Sequence, residues 1–253
     1  MIHESAARGF ARAPDDYERG RPSYGDEVVA CLTRTLRLGP GRRALDLAAG
    51  TGKLTRALTS TGADLVAVEP VAEMRARIVE TLPEAHVLAG TAESIPLPAG
   101  SVDVVAAAQA FHWFRGDEAL AEIHRVLRPR GRLGLVWNAR DESEPWVAGL
   151  TEILERYRGD TPSFRTGAWR EAFERTELFA PLEHARFRLE HELDPAGVVA
   201  RVTSVSFVAA LPERGRAHVV EEVLALLANE PATRGRGRII LPYRTDVFWC
   251  ERL

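Results

Sequence analysis

The sequence predicts an α/β chain organised on a doubly wound, mostly parallel sheet. Three observations carry that expectation. Short apolar segments near residues 43–47, 64–69, 86–89, 102–107 and 132–137 alternate with segments of helical period, which is the pattern of strands joined by right-handed helical crossovers. The segment 102–107 is apolar almost throughout, as suits a strand covered on both faces. The first strand passes through the small residues Ala48-Ala49-Gly50-Thr51-Gly52 directly into a helix, which sets a helix N-terminus beside the strand's carboxyl end.

In order, residues 1–26 are polar with scattered aromatics and breakers, and read as an N-terminal flap carrying Tyr17, Arg21 and Tyr24. Asp26 reads as the N-cap of a helix through Leu36, with Val28, Val29, Leu32 and Leu36 at helical spacing. Strand 1 (43–47) and a helix from 54 to 59 follow. Strand 2 (64–69) ends in the acid Glu69. A helix containing Met74, Ile78 and Leu82 leads to strand 3 (86–89). Strand 4 (102–107), a helix over 118–127 and strand 5 (132–137) complete the regular half. Beyond residue 140 the pattern loosens. Helices are expected at 146–157 and 168–174, a strand at 182–193, helices over 195–229 broken near Pro212, and a final strand at 245–250. The 195–229 segment reads as a helical lid insertion in a single domain spanning 1–253.

Composition narrows the function. The chain has 253 residues, 45% hydrophobic and 27% charged, with a net charge of −3. No basic excess points to nucleic acid or an anionic membrane. The two cysteines, Cys31 and Cys250, show neither metal spacing nor a disulfide framework. No apolar run is long enough to span a membrane, and the beginning carries no apolar signal segment. These features predict a cytoplasmic protein with no metal, and leave monomer and homodimer equally open.

Three ligands commonly use a small-residue turn after strand 1. A P-loop would need glycine at 47 and Ser or Thr at 54, where the chain has Leu47 and Leu54. A dinucleotide turn would need a third glycine where Lys53 stands, although Glu69 could still bind a ribose. A sulfonium nucleoside is the third, and more residues speak for it.

The run Leu45-Asp46-Leu47-Ala48-Ala49-Gly50-Thr51-Gly52-Lys53 resembles motif I of class I S-adenosylmethionine-dependent methyltransferases. Val66 to Pro70 with Met74, the segment 88–98, Ser101 to Val105, and Glu122-x-x-Arg125-Val126-Leu127-Arg128-Pro129-x-Gly131 resemble that family's later motifs in the same order. The likeness is to the type 11 group, near its trans-aconitate-methyltransferase-like and quinone-biosynthesis-like branches, and is strongest over 40–140. It implies a Rossmann-like sheet of seven strands, mostly parallel with an antiparallel last strand, and S-adenosyl-L-methionine as cofactor. The family's usual first glycine is Ala48 here, an exchange the turn tolerates if that position has a negative φ.

The resemblance assigns Asp46, Ala48, Gly50, Gly52, Glu69, Pro70, Met74, Thr91, Ala92, Glu93 and Gln109 to the cofactor site, with Tyr17 and Arg21 on the flap. Glu69 would accept both ribose hydroxyls, Met74 would cover adenine, and Asp46 would support the site from behind or hold the ligand's ammonium through the turn, an acid that only orders the loop being the alternative. Methyl transfer by direct displacement needs positioning, and a base where the nucleophile carries a proton. The loop after strand 4 supplies Gln109 and His112 as catalytic candidates, with Phe111, Trp113 and Phe114 as walls for the cation. That loop lacks the Asn/Asp-Pro-Pro-Tyr pattern of DNA amino-methylating enzymes. Gln109 breaks the acid pattern of metal-dependent catechol-type enzymes, despite Asp141 and Glu142. A small-molecule acceptor is therefore expected. A non-catalytic methyltransferase-like nucleotide-binding protein and a nicotinamide oxidoreductase are the competing readings.

Overall fold

Helix α1 (Asp26–Leu36) opens the computed structural model, which describes residues 20–253. Its buried stripe of Val28, Cys31, Leu32 and Leu36 follows the helical period. Gly25, not Asp26, occupies the N-cap; Asp26 and Glu27 lie in the first turn, where acids face the positive end of the helix dipole.

The regular half is as the alternating pattern predicts. It contains β1 (Arg43–Leu47), α2 (Lys53–Leu58), β2 (Asp64–Val68), α3 (Ala72–Thr81), β3 (His86–Leu88), β4 (Val102–Ala108), α4 (Gly116–Val126) and β5 (Leu127–Arg140). Strand β5 starts five residues before its apolar run, because Leu127 pairs with Val102 before the register shifts. Arg130 at φ 62 and Gly131 make that irregularity. Asp103 anchors the same corner, accepting from the Arg43 backbone N–H and from the guanidinium groups of Arg42 and Arg128.

The later half holds α5 (Pro145–Arg158), α6 (Glu171–Arg175), β6 (Glu183–Leu193), α7 (Pro195–Thr203), α8 (Ser206–Ala209), α9 (Glu213–Asn229) and β7 (Ile239–Glu251). The break expected near Pro212 lies between α8 and α9, and a second falls at Ser204-Val205.

Seven strands form one sheet in the order β3-β2-β1-β4-β5-β7-β6. Strand β7 alone runs against the rest, pairing antiparallel with both β5 and β6. Strand order reverses between β1 and β4, so their carboxyl ends open a crevice. Side-chain alternation splits the core into layers. Ala44, Val104, Ala106 and Val136 meet α1 and α2 on one face. Leu45, Leu47, Val105, Ala107, Leu133 and Leu135 meet α4 on the other. A third cluster joins α5, α7, α8 and α9 to Leu193, Ile239, Leu241 and Tyr243. The 195–229 helices are thus seated on α5 and on the far ends of β6 and β7, above the crevice.

Candidate functional site

A cavity of about 250 Å³ occupies the crevice. One end is built by the turns after β1, β2 and β3. The turn after β1 folds tightly: Ala49 N–H donates to the Val68 carbonyl and Gly52 N–H to the Ala49 carbonyl. Ala48 has φ 57, Gly50 φ 59 and Gly52 φ 80. The negative φ under which an alanine would sit here without strain is therefore not met. The turn needs the left-handed conformation there, and Ala48 holds it at a cost of roughly 1–2 kcal/mol relative to a right-handed residue. Gln109, at the end of the adjacent strand β4, is also left-handed at φ 57, with its N–H bonded to the Val136 carbonyl. Both residues border the cavity. Strain of this kind gathers at binding sites because a packed scaffold can hold it.

Glu69 borders the cavity from the end of β2 and is 5% exposed. Gly50 N–H donates to its Oε2 and Val71 N–H to its Oε1, each at 2.9 Å. Two backbone donors so fix the carboxylate plane and leave a lone pair on each oxygen. Burial raises its pKa, and these bonds oppose the rise. Asp46 lies beneath the turn rather than in the cavity wall. It is 2% exposed, accepts from Thr55 Oγ1 at 2.6 Å through Oδ2, and its Oδ1 is buried without a partner. Burial pushes its pKa up to about 7. Gly52 also stands outside the wall; it caps α2 in the left-handed conformation, and a Cβ there would press on Ile78.

Pro70, Met74, Thr91, Ala92 and Glu93 complete this end. The loop carrying the last three is stapled by two residues of α4. Glu122 accepts from Ile95 N–H at 2.9 Å, and Arg125 donates to the Ile95 and Leu97 carbonyls. That is the structural reason for the Glu122-x-x-Arg125 spacing.

The other end is lined by Gln109, His112, Trp113, Phe114, Trp137 and Phe164, with Phe207 from the helices above. Phe111 is fully buried and belongs to the core instead. Trp137 Nε1 donates to His112 Nδ1 at 3.1 Å. Indole is only a donor, so neutral His112 carries its proton on Nε2. Burial, helped by the charge of Arg21, pushes the His112 pKa down to about 3. The group is neutral at working pH and offers a hydrogen-bond donor. Arg21 borders the cavity and donates to the Ser204 carbonyl at 3.3 Å; Tyr17 and most of the expected flap lie outside the described residues.

Sequence reasoning missed Trp137, Asn138, Arg140, Phe164, Arg165 and Arg201, all of which border the cavity. They come from the end of β5, the turn after α5, and α7. The Trp137–Phe164 stack, with centroids 4.6 Å apart, needs residues 27 positions apart in the irregular half. The apolar run Leu133–Trp137, which ends in an aromatic at the strand's carboxyl end, is the one available signal. Among the described residues no cluster of His, Cys, Asp or Glu has metal-binding geometry, and no helix is long and apolar enough to cross a membrane.

Comparison with known proteins agrees with this geometry. Residues 45–135 match the methyltransferase domain model of the type 11 group. An uncharacterized methyltransferase of Mycobacterium tuberculosis (strain H37Rv) is 42% identical over 93% of this chain and 92% of its own length. An uncharacterized methyltransferase-like protein of Schizosaccharomyces pombe is 37% identical over 100% of this chain and 98% of its own. Among solved structures, a candidate type II methyltransferase of Anaeromyxobacter dehalogenans superposes with a TM-score of 0.66 at 25% identity, over 92% of this chain and 97% of that one. A Haemonchus contortus phosphoethanolamine N-methyltransferase 2, solved with phosphomonomethylethanolamine and S-adenosylhomocysteine, shares the fold with a TM-score of 0.56 at 14% identity, over 99% of this chain and 60% of that one. On the relatives that match it nearly end to end, the chain belongs to the methyltransferase family and is an enzyme of the Rossmann-like type.

Proposed function

We propose that the protein transfers a methyl group from S-adenosyl-L-methionine to a small-molecule acceptor. One observation carries the reading: a single cavity joins a nucleoside-shaped end, organised by Glu69, to an aromatic end roofed by the 195–229 helices. The residues fit the cofactor. Glu69 keeps a free lone pair on each oxygen for vicinal hydroxyls. Gly50 lets a ligand lie against the backbone, and Met74 and Ala92 present apolar surface for a base. A structural neighbour solved with S-adenosylhomocysteine adds to the case.

When bound, the cofactor supplies an electrophilic methyl on a sulfonium. Glu69 would bind the ribose and so set the position of that methyl. Thr91, Ala92 and Glu93 would border the adenine. Gln109, fixed in the left-handed conformation, would hold the amino-acid moiety, with Ala48 and Arg21 on its other sides. Trp113, Phe114, Trp137 and Phe164 exclude water from the acceptor end and present π faces that favour a cation. His112 would orient the acceptor through its Nε2 proton; its depressed pKa and occupied Nδ1 leave little basicity for removing one. The 195–229 helices would act as the lid, and 40–140 as the cofactor-binding core.

Calorimetric titration with S-adenosylhomocysteine tests the cofactor, and absence of binding would overturn it. A screen of small acceptors, read as release of S-adenosylhomocysteine, tests turnover.

A further inference from the structure

The acceptor end is rich in guanidinium groups. Arg21, Arg140, Arg158, Arg165 and Arg201 all border the cavity. Two of them are balanced by neighbouring acids. Arg158 Nε donates to Glu155 at 2.6 Å, and Arg165 pairs with Glu142. Arg140 and Arg201 are held differently, each clamped at Nε by a neutral hydroxyl. Arg140 donates to Thr151 Oγ1 at 3.2 Å and Arg201 to Tyr243 Oη at 2.9 Å. Arg201 is 9% exposed, and its Nη1 is buried with no hydrogen-bond partner. The two charges act on each other: after burial itself, Arg201 is the main influence holding the Arg140 pKa down, to about 10. Two like charges in a water-poor site cost free energy, and an orphaned donor adds to that cost. An anion with two oxygens offsets both at once, because the guanidinium fork matches it. Trp137, Phe164 and Phe207 stand in the same cavity wall as an apolar surface.

We propose that Arg140 and Arg201 form a carboxylate subsite, and that the methyl acceptor is an amphipathic carboxylate whose apolar body lies on Trp137, Phe164 and Phe207. The inference rests on reading the cavity as the methyl-transfer site. A carboxylate is also present on the amino-acid moiety of the cofactor, so the test separates the two sources.

The full chain is titrated calorimetrically with S-adenosylhomocysteine. Phenylacetate, and then its neutral analogue phenylacetamide, are titrated with S-adenosylhomocysteine saturating. Phenylacetate should bind at least about tenfold tighter than the amide, roughly 1.4 kcal/mol. Arg140→Met and Arg201→Met should each weaken phenylacetate about tenfold or more and leave S-adenosylhomocysteine within about twofold. Equal binding of acid and amide, or binding of neither, overturns the proposal. Weakened S-adenosylhomocysteine with unchanged phenylacetate also overturns it, and assigns the arginines to the cofactor. Failure of the unaltered chain to bind S-adenosylhomocysteine overturns the cofactor reading instead, and phenylacetate titrated alone still tests the arginine pair. Should a Met variant not fold, the rise in thermal midpoint that phenylacetate gives the unaltered chain, compared with the amide's, decides.

Discussion

Trp137 Nε1 donates to His112 Nδ1 across 3.1 Å, and this bond settles which imidazole nitrogen carries the proton. The proton sits on Nε2, and the ring stays neutral down to about pH 3. The folded pKa lies below the unfolded value of about 6.5. The unfolded chain therefore binds more protons between those limits, and stability is lost as pH falls from about 6.5. Urea unfolding at pH 7 and pH 5 should show that loss in the native chain and a smaller one in His112→Gln. The same variant should reduce turnover and leave S-adenosylhomocysteine affinity intact.

Asp46 slopes the other way. Its folded pKa of about 7 exceeds the unfolded value of about 3.9, so the folded chain binds more protons over that interval. Stability from this group is greatest below pH 4 and falls as pH rises to 7. Asp46→Asn should remove that fall, measured as the difference between variant and native unfolding free energies across pH 4–7. Thr55→Val should destabilise by about 1–3 kcal/mol at pH 7, because it strips the donor from a buried carboxylate.

Ala48 keeps a left-handed backbone without the freedom of glycine. Ala48→Gly should relieve the strain and stabilise by roughly 0.5–1 kcal/mol, part of the gain being offset by glycine's greater unfolded entropy. Ala48→Val should destabilise by more than that. Chemical denaturation midpoints check both.

Glu69→Gln replaces one carboxylate oxygen with a donor that faces a backbone N–H. A fall of at least about tenfold in S-adenosylhomocysteine affinity is expected, with a loss of stability on the order of 1–3 kcal/mol. Glu122→Ala should act at a distance by freeing the loop of Ala92 and Glu93. Its S-adenosylhomocysteine affinity should drop less than that of Glu69→Gln.

The cavity end at Glu69 is legible in the sequence because its residues lie in local runs. Glu69 closes a strand, and the turn at 48–52 joins a strand to a helix. The parallel, doubly wound sheet follows from alternation, and the reversal of the last strand from a resemblance rather than from periodicity. The left-handed turn at Ala48 was not legible, since backbone requirements there override the residue's own preference. The acceptor end was hardest. Trp137, Arg140, Phe164 and Arg201 meet only after β5, the turn following α5, and α7 have packed. No spacing along the chain encodes that meeting.

Arg140 and Tyr243 are partners in the β5–β7 ladder. The hundred or so residues between them hold α5 to α9 and the edge strand β6, which pairs only with β7. Insertions, deletions or exchanges in that stretch can therefore remodel the acceptor end without disturbing the register of β1, β2 and β4. The domain match ends at residue 135, just short of this junction. On the proposed reading, such an arrangement would let one nucleoside site be inherited unchanged while acceptor preference diverges through a replaceable cassette, rooted at both ends on neighbouring strands.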